Sequence, residues 1–207
     1  MSDLFAELAR LGSATVYEAA GRSGLVDVAL EQLVPGSRAC GPARTVRCGQ
    51  GDNLMVHAAM ARTEPGDVLV LTMPEPDPVA LIGELLVTQA QARGAAALLV
   101  DAAVRDAEEL REIGLPVWAR WIRVRGAGKS ETGALDEPVE VGGATIHPGD
   151  PVVLDADGAV VVQRGRAEEV LAASLEREER ERVKRARLAA GELSYDMDGL
   201  RERVEGE

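Results

Sequence analysis

Apolar and polar positions change their period several times along the chain, and each change marks a predicted element. Apolar residues recur at helical spacing over residues 3–20, and Ser13 and Thr15 are available to cap a second short helix there. Alternation over residues 41–48 predicts a strand, and residues 54–60 return to helical spacing. The first third of the chain therefore predicts helices, a strand and another helix.

The middle of the chain has the pattern of a parallel sheet. Short continuous apolar runs, typical of strands that are covered on both faces, occur at residues 68–71, 95–100 and 117–118. Helical runs follow Gly83 and extend over residues 106–113, and a turn that ends in Arg105-Asp106 is predicted to follow the run at residues 95–100. The order strand, helix, strand, helix, strand predicts a parallel central sheet.

The last part of the chain predicts short strands and then one long helix. Residues 121–162 are rich in Gly, Pro and short Val/Ile runs, as expected for a β-rich segment that completes the same domain. Residues 166–187 predict a polar helix with i,i+4 ion pairs, namely Glu176/Arg180, Glu178/Arg182 and Glu181/Arg185. We therefore predict an α/β catalytic domain over residues 1–165 and a charged helical arm over 166–207. The arm is interpreted as an oligomer contact, with a solvated surface helix as the alternative.

Composition narrows the classes of function. Only five of the 207 residues are Phe, Tyr or Trp, so Val, Leu and Ala must fill the core. A net charge of −12 without a basic stripe argues against a nucleic-acid partner. No apolar run approaches the ~18 residues of a membrane span, so we expect a cytoplasmic protein without a membrane partner. Cys40 and Cys48 lack metal-site spacing and are expected to be reduced thiols.

Three features that suggest chemistry are set aside. The glycine-rich segment 126–130 is not a phosphate loop, because that motif needs a glycine where Arg123 stands. A carbon–carbon lyase needs an electron sink, either a Schiff-base lysine or a metal ion. Lys129 lies in the glycine-rich loop and Lys184 in the charged helix, so neither has apolar surroundings, and a lyase would use a metal. His57 has no second ligand three or four residues away and is predicted to be a packed or surface histidine.

Arg105 and Asp106 are the main candidates for chemistry, and two interpretations stay open. Asp106 and Glu109 have the D-x-x-E spacing of a capping box at a helix start, and Arg105 could pair with a neighbouring carboxylate. Alternatively, Asp106 gives one carboxylate to a hydrated cation such as Mg²⁺, and Arg105 holds a substrate carboxylate. Main-chain N–H groups of residues 84–86 could bind the same anion. The second interpretation describes a site for a 2-oxo acid.

Short segments in a fixed order carry a resemblance to a known family. They are L-G-S-A-T-V-Y-E-A, G-P-A-R-T-V, G-D-N-L-M-V-H, P-G-D-V-L-V, G-E-L-L, D-A-A-V-R-D, G-L-P-V-W-A-R and R-A-R-L-A-A-G-E-L, between about Leu11 and Leu200. With them the chain resembles the RraA-like family, which is named for a regulator of ribonuclease activity and also contains the class II, metal-dependent pyruvate aldolases. Within the family it is most similar to the 4-carboxy-4-hydroxy-2-oxoadipate aldolase/oxaloacetate decarboxylases and the 4-hydroxy-4-methyl-2-oxoglutarate aldolases.

The resemblance implies a fold, an assembly and a site. The fold is a swivelling β/β/α domain with a central, partly parallel sheet flanked by helices, in a homotrimer or a dimer of trimers with active sites at subunit interfaces. The implied pyruvate-binding groups are the main chain of Gly83, Glu84, Leu85 and Leu86 and the guanidinium of Arg105. The implied metal ligand is Asp106, which holds Mg²⁺ or Mn²⁺ mostly through water.

These expectations define a reaction. A metal-dependent retro-aldol lyase would cleave 4-carboxy-4-hydroxy-2-oxoadipate or 4-hydroxy-4-methyl-2-oxoglutarate to pyruvate and another 2-oxo acid, and the same electron sink would decarboxylate oxaloacetate. The C4 hydroxyl proton would pass to a base or to a metal-linked water, and the base is not assigned, with Glu18, Asp52 and Asp101 as candidates. The alternative is a non-enzymatic regulator of an RNA-processing enzyme. The resemblance implies that such members lack the aspartate after the motif arginine, whereas this chain has Asp106.

Three positions depart from the usual family pattern. Ala102 replaces a glycine, which would narrow the expected loop, and Tyr17 stands where histidine is frequent in the carboxy-oxoadipate aldolases. Leu81-Ile82 replaces an aromatic pair before G-E. The substrate is therefore less well defined than the type of reaction.

Overall fold

Eleven strands and eight α-helices occur within residues 2–206, the part of the chain that the computed structural model describes. The strands are β1 (Glu31–Gln32), β2 (Ala39–Arg47), β3 (Val68–Thr72), β4 (Ala80–Ile82), β5 (Ala97–Val104), β6 (Val117–Ile122), β7 (Ala134–Leu135), β8 (Val139–Val141), β9 (Ala144–Ile146), β10 (Pro151–Asp155) and β11 (Gly158–Val161). The helices are α1 (Ser2–Leu11), α2 (Ser13–Ala19), α3 (Leu54–Met60), α4 (Glu84–Ala92), α5 (Ala107–Ile113), α6 (Ala167–Ala189), α7 (Ser194–Met197) and α8 (Leu200–Glu205). Met1 and Glu207, the outer ends of the two expected domain ranges, lie outside the described residues.

A curled, partly parallel sheet is the centre of the domain. In residues 2–206 its nine strands follow the order β1-β6-β5-β3-β2-β10-β11, with β4 also paired to β5 and β7 to β2. Strands β2, β3, β5 and β6 run parallel to one another, and β10, β11, β1 and β7 join antiparallel. The predicted sheet with flanking helices and a C-terminal helix is confirmed.

Strand β5 changes its pairing partner along its length, and this change forms the sheet edge at which a cavity opens. Its first half pairs with β3 as far as Val100, and its second half pairs with β4 at Ala103 and Val104. The predicted turn after Val100 was therefore wrong in its start, because residues 101–104 continue the strand and are all buried, and only Arg105 and Asp106 lie between β5 and α5. Strand β4 was not predicted, since its three residues follow a proline-rich loop and are held by pairing with β5 rather than by local pattern.

Aliphatic residues from the two faces of the sheet form two separate core clusters. The side chains of Leu69 and Leu71 pack under α3, α4 and α5, whereas those of Val68 and Val70 face the β8–β9 hairpin. This alternation follows from the period of two in a strand, where successive side chains point to opposite faces. Trp118 is the largest fully buried side chain, and its indole N–H donates to the main-chain oxygen of Asp155 at 2.8 Å. A third cluster packs α1, α2 and α6 against β10 and β11.

The start of α2 does not have the predicted cap. Gly12 occupies the position before the helix, and the Ser13 hydroxyl donates to Oδ1 of Asp155 at 2.6 Å instead of to its own helix. Thr15 lies inside the helix. The cap comes from a residue more than 140 positions away, because Oδ2 of Asp155 accepts the Ser13 N–H at 2.8 Å. Such a long-range partner has no signature in the local sequence.

The C-terminal helix is packed at its start and exposed further along. Val170 and Ser174 are buried in the contact with α1 and α2, whereas Val183 and Leu188 are exposed. The pair Glu176/Arg180 is present at 3.9 Å. The other two predicted pairs were wrong, because different partners are nearer: Arg10–Glu178, Arg182–Glu179 and Arg177–Glu181. None of the helices described here is long and apolar enough to cross a membrane.

Candidate active site

A cavity of about 340 Å³ opens where the parallel strands β4 and β5 end. Carboxyl ends of parallel strands meet at one sheet edge, where loops and helix starts can converge on a ligand. Its walls come from α3, β4, the β4–α4 and β5–α5 junctions and the loop after β6, namely Asn53, His57, Ala80, Leu81, Ile82, Gly83, Glu84, Leu85, Leu86, Arg105, Asp106, Glu109, Ala127 and Lys129. The structure thus brings all six residues of the sequence-predicted site to one cavity.

Asp106 is held in a special conformation between two helices. It has φ 57° and ψ 45°, a left-handed conformation that non-glycine residues seldom adopt. Its side chain makes no hydrogen bond to α5, so the predicted capping box with Glu109 was wrong. Oδ2 of Asp106 instead accepts the main-chain N–H of Glu84 at 3.0 Å, at the start of α4. Among residues 2–206 no hydrogen bond reaches Oδ1, and 38% of the side chain is exposed.

Gly83 makes the close approach of Asp106 possible. A Cβ atom at this position would lie 2.2 Å from Oδ2 of Asp106 and 3.0 Å from Cγ of Arg105. The backbone of Gly83 is extended, with φ −149°, so the need for glycine comes from lack of space and not from backbone strain. Any side chain here would displace the carboxylate from the start of α4.

The Arg105 guanidinium stands beside the carboxylate and is half-exposed. Its Nε lies 3.6 Å from Oδ2 of Asp106, which is longer than a hydrogen bond. The main-chain N–H of Arg105 donates to the Ile82 oxygen at 3.1 Å and so ties the β5–α5 junction to the end of β4. A Cβ at Gly126 would lie 2.8 Å from Nη1, so the arginine side chain also needs the glycine-rich loop beside it. The guanidinium therefore has donors available for a ligand carboxylate.

The first turn of α4 points N–H groups toward the cavity. The N–H groups that open a helix have no partner within it and carry the positive end of its dipole. The Glu84 N–H is engaged by Asp106, and the first hydrogen bond to the preceding chain is made by Val87, to the Gly83 oxygen. The N–H groups of Leu85 and Leu86 thus have no acceptor earlier in the helix and suit an anion.

Asn53 contributes a buried oxygen that nothing in residues 2–206 satisfies. Its Nδ2 donates to the Leu81 oxygen at 2.8 Å, which fixes the amide orientation. Its Oδ1 is buried and has no hydrogen-bond partner among the described residues, although only 8% of the residue is exposed. A buried acceptor without a donor is uncommon and indicates a missing ligand or water. Apart from the position of Asn53 just before a helix, no local pattern indicates this role.

The rejected glycine-rich loop forms one wall of the cavity. The loop pairs with Asp52 at Gly128 and with Ala80 at Gly126 through isolated parallel bridges. It brings Lys129 next to α3, where His57 follows Asn53 by one helical turn. Partial burial, followed by the charge of Lys129, lowers the pKa of His57 below its ordinary value. The prediction of His57 as a packed or surface residue missed that its exposed face is a cavity wall.

None of the three carboxylates considered as the base lines the cavity. Asp101 is buried and ion-paired with Arg120, and burial raises its pKa although Arg120 opposes the shift. Asp52 accepts the Leu54 N–H on Oδ1 at 2.8 Å and the Ser130 N–H on Oδ2 at 2.6 Å. Burial raises the pKa of Asp52, but these and neighbouring N–H donors outweigh it and hold the pKa below the ordinary value. Glu18 pairs with Arg22, which follows α2, and with Arg177 of α6.

The family departures have different structural consequences. Ala102 lies fully buried within β5, so the expected narrowing of a loop was wrong. Leu81 and Ile82 line the cavity next to Gly83 and therefore shape its apolar side. Tyr17 lies on α2, outside the cavity walls.

Comparisons with known proteins agree with the fold. A family model described as RraA-like, Aldolase/RraA, matches residues 13–161. A Halalkalibacterium halodurans protein, whose name marks it provisionally as a 4-hydroxy-4-methyl-2-oxoglutarate aldolase, is 35% identical over 142 residues, which are 69% of this chain and 68% of that protein. RraAS2 from Streptomyces coelicolor, an unusual member of the RNase ES inhibitor RraA protein family, is 33% identical with a TM-score of 0.80 over 89% of this chain and 96% of its own. An uncharacterized protein from Pseudomonas syringae is 25% identical with a TM-score of 0.82 over 93% and 95% of the two chains. The chain belongs to the RraA-like family.

Proposed function

We propose that this protein is a divalent-metal-dependent retro-aldol lyase. It cleaves 4-carboxy-4-hydroxy-2-oxoadipate or 4-hydroxy-4-methyl-2-oxoglutarate to pyruvate and a second 2-oxo acid, and it decarboxylates oxaloacetate as a side activity. The observation that carries the proposal is the position of Arg105 beside the Asp106 carboxylate at the start of α4, where only one oxygen of that carboxylate accepts a hydrogen bond from residues 2–206. The provisional name of the Halalkalibacterium halodurans relative supports the same reaction class.

The 2-oxo acid end of the substrate would bind at the α4 start. Arg105 offers a planar pair of donors that matches a carboxylate, and the N–H groups of Leu85 and Leu86 add donors at the positive end of the helix. Negative charge grows on the pyruvate oxygen as the C3–C4 bond breaks. A fixed guanidinium stabilises that charge without reorganising during the reaction.

The oxygen donors of the cavity fit Mg²⁺ or Mn²⁺. Residues 2–206 contain no group of three or more His, Cys, Asp or Glu that could hold a metal ion together. Mg²⁺ usually takes one or two carboxylates and keeps several waters. Oδ1 of Asp106 would be the one carboxylate ligand, and the unpartnered Oδ1 of Asn53 would accept from a water of hydration. Such a cation supplies positive charge that stabilises an enolate.

Lys129 accounts for the second carboxylate of the proposed substrates. It lies on the loop wall of the cavity, beside α3. A flexible ammonium group suits a point contact with a distal carboxylate. We expect Lys129→Gln to raise the KM for 4-hydroxy-4-methyl-2-oxoglutarate about tenfold with a smaller change in kcat, as for loss of an interaction made equally in ground and transition states.

A second candidate function is regulation of an RNA-processing enzyme. It is favoured by the 33% identity to RraAS2, a member of an RNase inhibitor family. A surface that only docks a protein needs neither a left-handed aspartate nor a neighbouring glycine at which a Cβ would lie 2.2 Å from the carboxylate. These two features favour the lyase.

The proposal is tested by pyruvate release from both hydroxy-oxo acids and from oxaloacetate, with Mg²⁺ or Mn²⁺ and with EDTA. We expect turnover that EDTA abolishes and that Asp106→Asn lowers by about 10²- to 10³-fold, the size found when a group that stabilises transition-state charge is removed. The matched control is Glu108→Gln, which removes an exposed carboxylate two residues away and outside the cavity wall. Turnover that persists in EDTA, or in Asp106→Asn, would contradict the proposal.

As part of this proposal, residues 166–207 form a contact between copies in a homotrimer or a dimer of trimers. Helix α6 and the segments after it expose Leu175, Val183, Leu188 and Val204, which a monomer leaves in water. Sedimentation of the wild type and of a Val183→Ser/Leu188→Ser variant tests this. We expect the variant to dissociate into monomers at a higher protein concentration than the wild type. A monomeric wild type would contradict it.

A further inference from the structure

The cavity leaves open which group removes the C4 hydroxyl proton. The three carboxylates expected from sequence lie outside the cavity and are engaged in ion pairs or main-chain hydrogen bonds. A base has to reach the proton within hydrogen-bond distance or through one water. Among the side chains of this chain, the groups best placed to take the proton are the titratable ones that line the cavity.

His57 lines the same cavity as Asp106, but from α3 rather than from the β5–α5 junction. Its main-chain N–H donates to the Asn53 oxygen at 3.3 Å, so it follows Asn53 by one turn and shares its helix face. Helix α4 contacts both α3 and α5. The carboxylates of Glu84, Asp106 and Glu109 belong to the α4 and α5 walls. In the proposed binding mode, a substrate whose 2-oxo acid end lies at the α4 start would extend its C4 end toward α3.

Burial, and after it the charge of Lys129, favours the neutral form of the His57 imidazole. Lys129 on the loop and Arg105 on the β5–α5 junction supply positive charge, and Glu84, Asp106 and Glu109 supply negative charge from the other walls. Partial burial and the Lys129 charge together lower the His57 pKa. A neutral imidazole has a free lone pair and can take a proton at neutral pH.

We propose that His57 is the general base of the aldol cleavage, an inference that rests on the proposed function. The imidazole takes the C4 hydroxyl proton as the C3–C4 bond breaks, and the released O–H electron pair forms the carbonyl of the departing 2-oxo acid. The C3–C4 pair becomes the C2–C3 double bond of pyruvate enolate, with negative charge on the C2 oxygen. The imidazolium then returns its proton to C3, which gives pyruvate and restores neutral His57.

Comparing two reactions of the same enzyme tests this role. Decarboxylation of oxaloacetate forms the same enolate but has no hydroxyl proton to remove. We expect His57→Gln to lower cleavage of 4-hydroxy-4-methyl-2-oxoglutarate by about 10²- to 10⁴-fold, the usual contribution of a general base, and oxaloacetate decarboxylation by less than about tenfold. The control is His147→Gln, which removes the other histidine, 57% exposed and outside the cavity wall, and should leave both reactions unchanged.

A readout independent of turnover comes from the imidazole proton resonances, which the two single-histidine variants assign. We expect the His57 resonance to shift when oxalate, an analogue of the enolate, is added with Mg²⁺, and its titration midpoint to rise in Lys129→Gln. A His57→Gln variant that cleaves the hydroxy-oxo acid within a few-fold of wild type, or that loses both reactions equally, would overturn the role. A wild type with neither reaction would overturn the proposed function, and this role with it.

Discussion

Two aspartates reach from a distance to the start of a helix, and they differ in how much of each carboxylate is used. Asp155 accepts the first N–H of α2 at 2.8 Å, and Asp106 accepts the first N–H of α4 at 3.0 Å. Each approach is so close that a Cβ on the preceding glycine would clash, at 2.8 Å for Gly12 and 2.2 Å for Gly83. The same local geometry therefore occurs twice in the fold.

The difference lies in the second oxygen. Oδ1 of Asp155 accepts the Ser13 hydroxyl at 2.6 Å and the Asp157 N–H at 3.0 Å, and the residue is only 6% exposed. Oδ1 of Asp106 has no partner in residues 2–206 and lies beside a half-exposed arginine at a cavity. A buried carboxylate whose two oxygens both accept hydrogen bonds stabilises the fold. A carboxylate at a cavity with one oxygen free of hydrogen bonds can bind a ligand. The number of hydrogen bonds, and not the motif, separates the two.

The largest effects on turnover and on stability are expected from replacing Asp106 and Asp155, in turn, by asparagine. Asp106→Asn can still accept the Glu84 N–H, because its NH₂ group can face the cavity, so the free energy of unfolding should change by less than about 0.5 kcal/mol while turnover falls 10²- to 10³-fold. In Asp155→Asn, one of the two acceptor oxygens becomes an NH₂ group. In one amide orientation this NH₂ group faces the Ser13 N–H, and in the other it faces the Ser13 hydroxyl and the Asp157 N–H. The substitution should cost about 2 kcal/mol of stability and leave turnover per folded molecule unchanged. Urea unfolding and pyruvate release measure both; equal losses of stability would break the comparison.

Substitution of the two glycines should give the same contrast: a loss of turnover for Gly83 and a loss of stability for Gly12. Gly83→Ala pushes the Asp106 carboxylate away, and we expect turnover to fall about 100-fold with little change in the midpoint of urea unfolding. Gly12→Ala forces a side chain into a conformation with φ 84° and should cost about 1–3 kcal/mol with turnover retained. Full activity of Gly83→Ala would show that the close contact has no functional purpose.

Arg105→Lys should give a smaller effect than removing Asp106. Lysine keeps the positive charge but loses the planar pair of donors, so kcat/KM for the hydroxy-oxo acids should fall about tenfold to 100-fold. The affinity for Mn²⁺ without substrate should stay within a few-fold of wild type, because the guanidinium is not a metal ligand. Steady-state kinetics and a metal titration separate the two roles, and a large loss of metal affinity would contradict the assignment.

The smallest effect concerns Asp52, which resembles Asp155 because both of its oxygens accept N–H groups. Its pKa is lowered in the folded state, so its contribution to stability is present above the ordinary carboxyl pKa near 4 and is lost as the pH falls through the folded value. Thermal unfolding between pH 7 and pH 3 should therefore show a shallower decline in Asp52→Asn than in the wild type. Parallel curves of unfolding temperature against pH would mean that the pKa of Asp52 is the same in the folded and the unfolded state.

Much of the fold could be predicted because its signals are local. The continuous apolar runs at residues 68–71 and 95–100 have the pattern of buried parallel strands, and both became strands of the sheet. Strand β4 and residues 101–104 could not be predicted, since their structure depends on pairing with each other across a loop. The Ser13 cap failed for the same reason, because its partner is distant in sequence.

The site divides in a similar way. Gly83 to Leu86, Arg105 and Asp106 stand in short motifs, and the structure places them at one cavity. Asn53, His57 and Lys129 join them only because the loop after β6 folds over α3. The capping-box spacing of Asp106 and Glu109 was misleading, since the left-handed backbone turns the carboxylate to another helix. Spacing identifies neighbours on one element but cannot identify partners on another.

The central claim is that the free oxygen of Asp106 holds a divalent cation. Electron paramagnetic resonance of Mn²⁺, titrated into the wild type and Asp106→Asn with and without pyruvate, tests it without relying on turnover. We expect saturable binding that pyruvate strengthens in the wild type, and affinity at least about tenfold weaker in the variant, in line with the loss seen when groups at a metal site are removed. Equal Mn²⁺ affinity in the two proteins, or no binding to the wild type, would contradict the account.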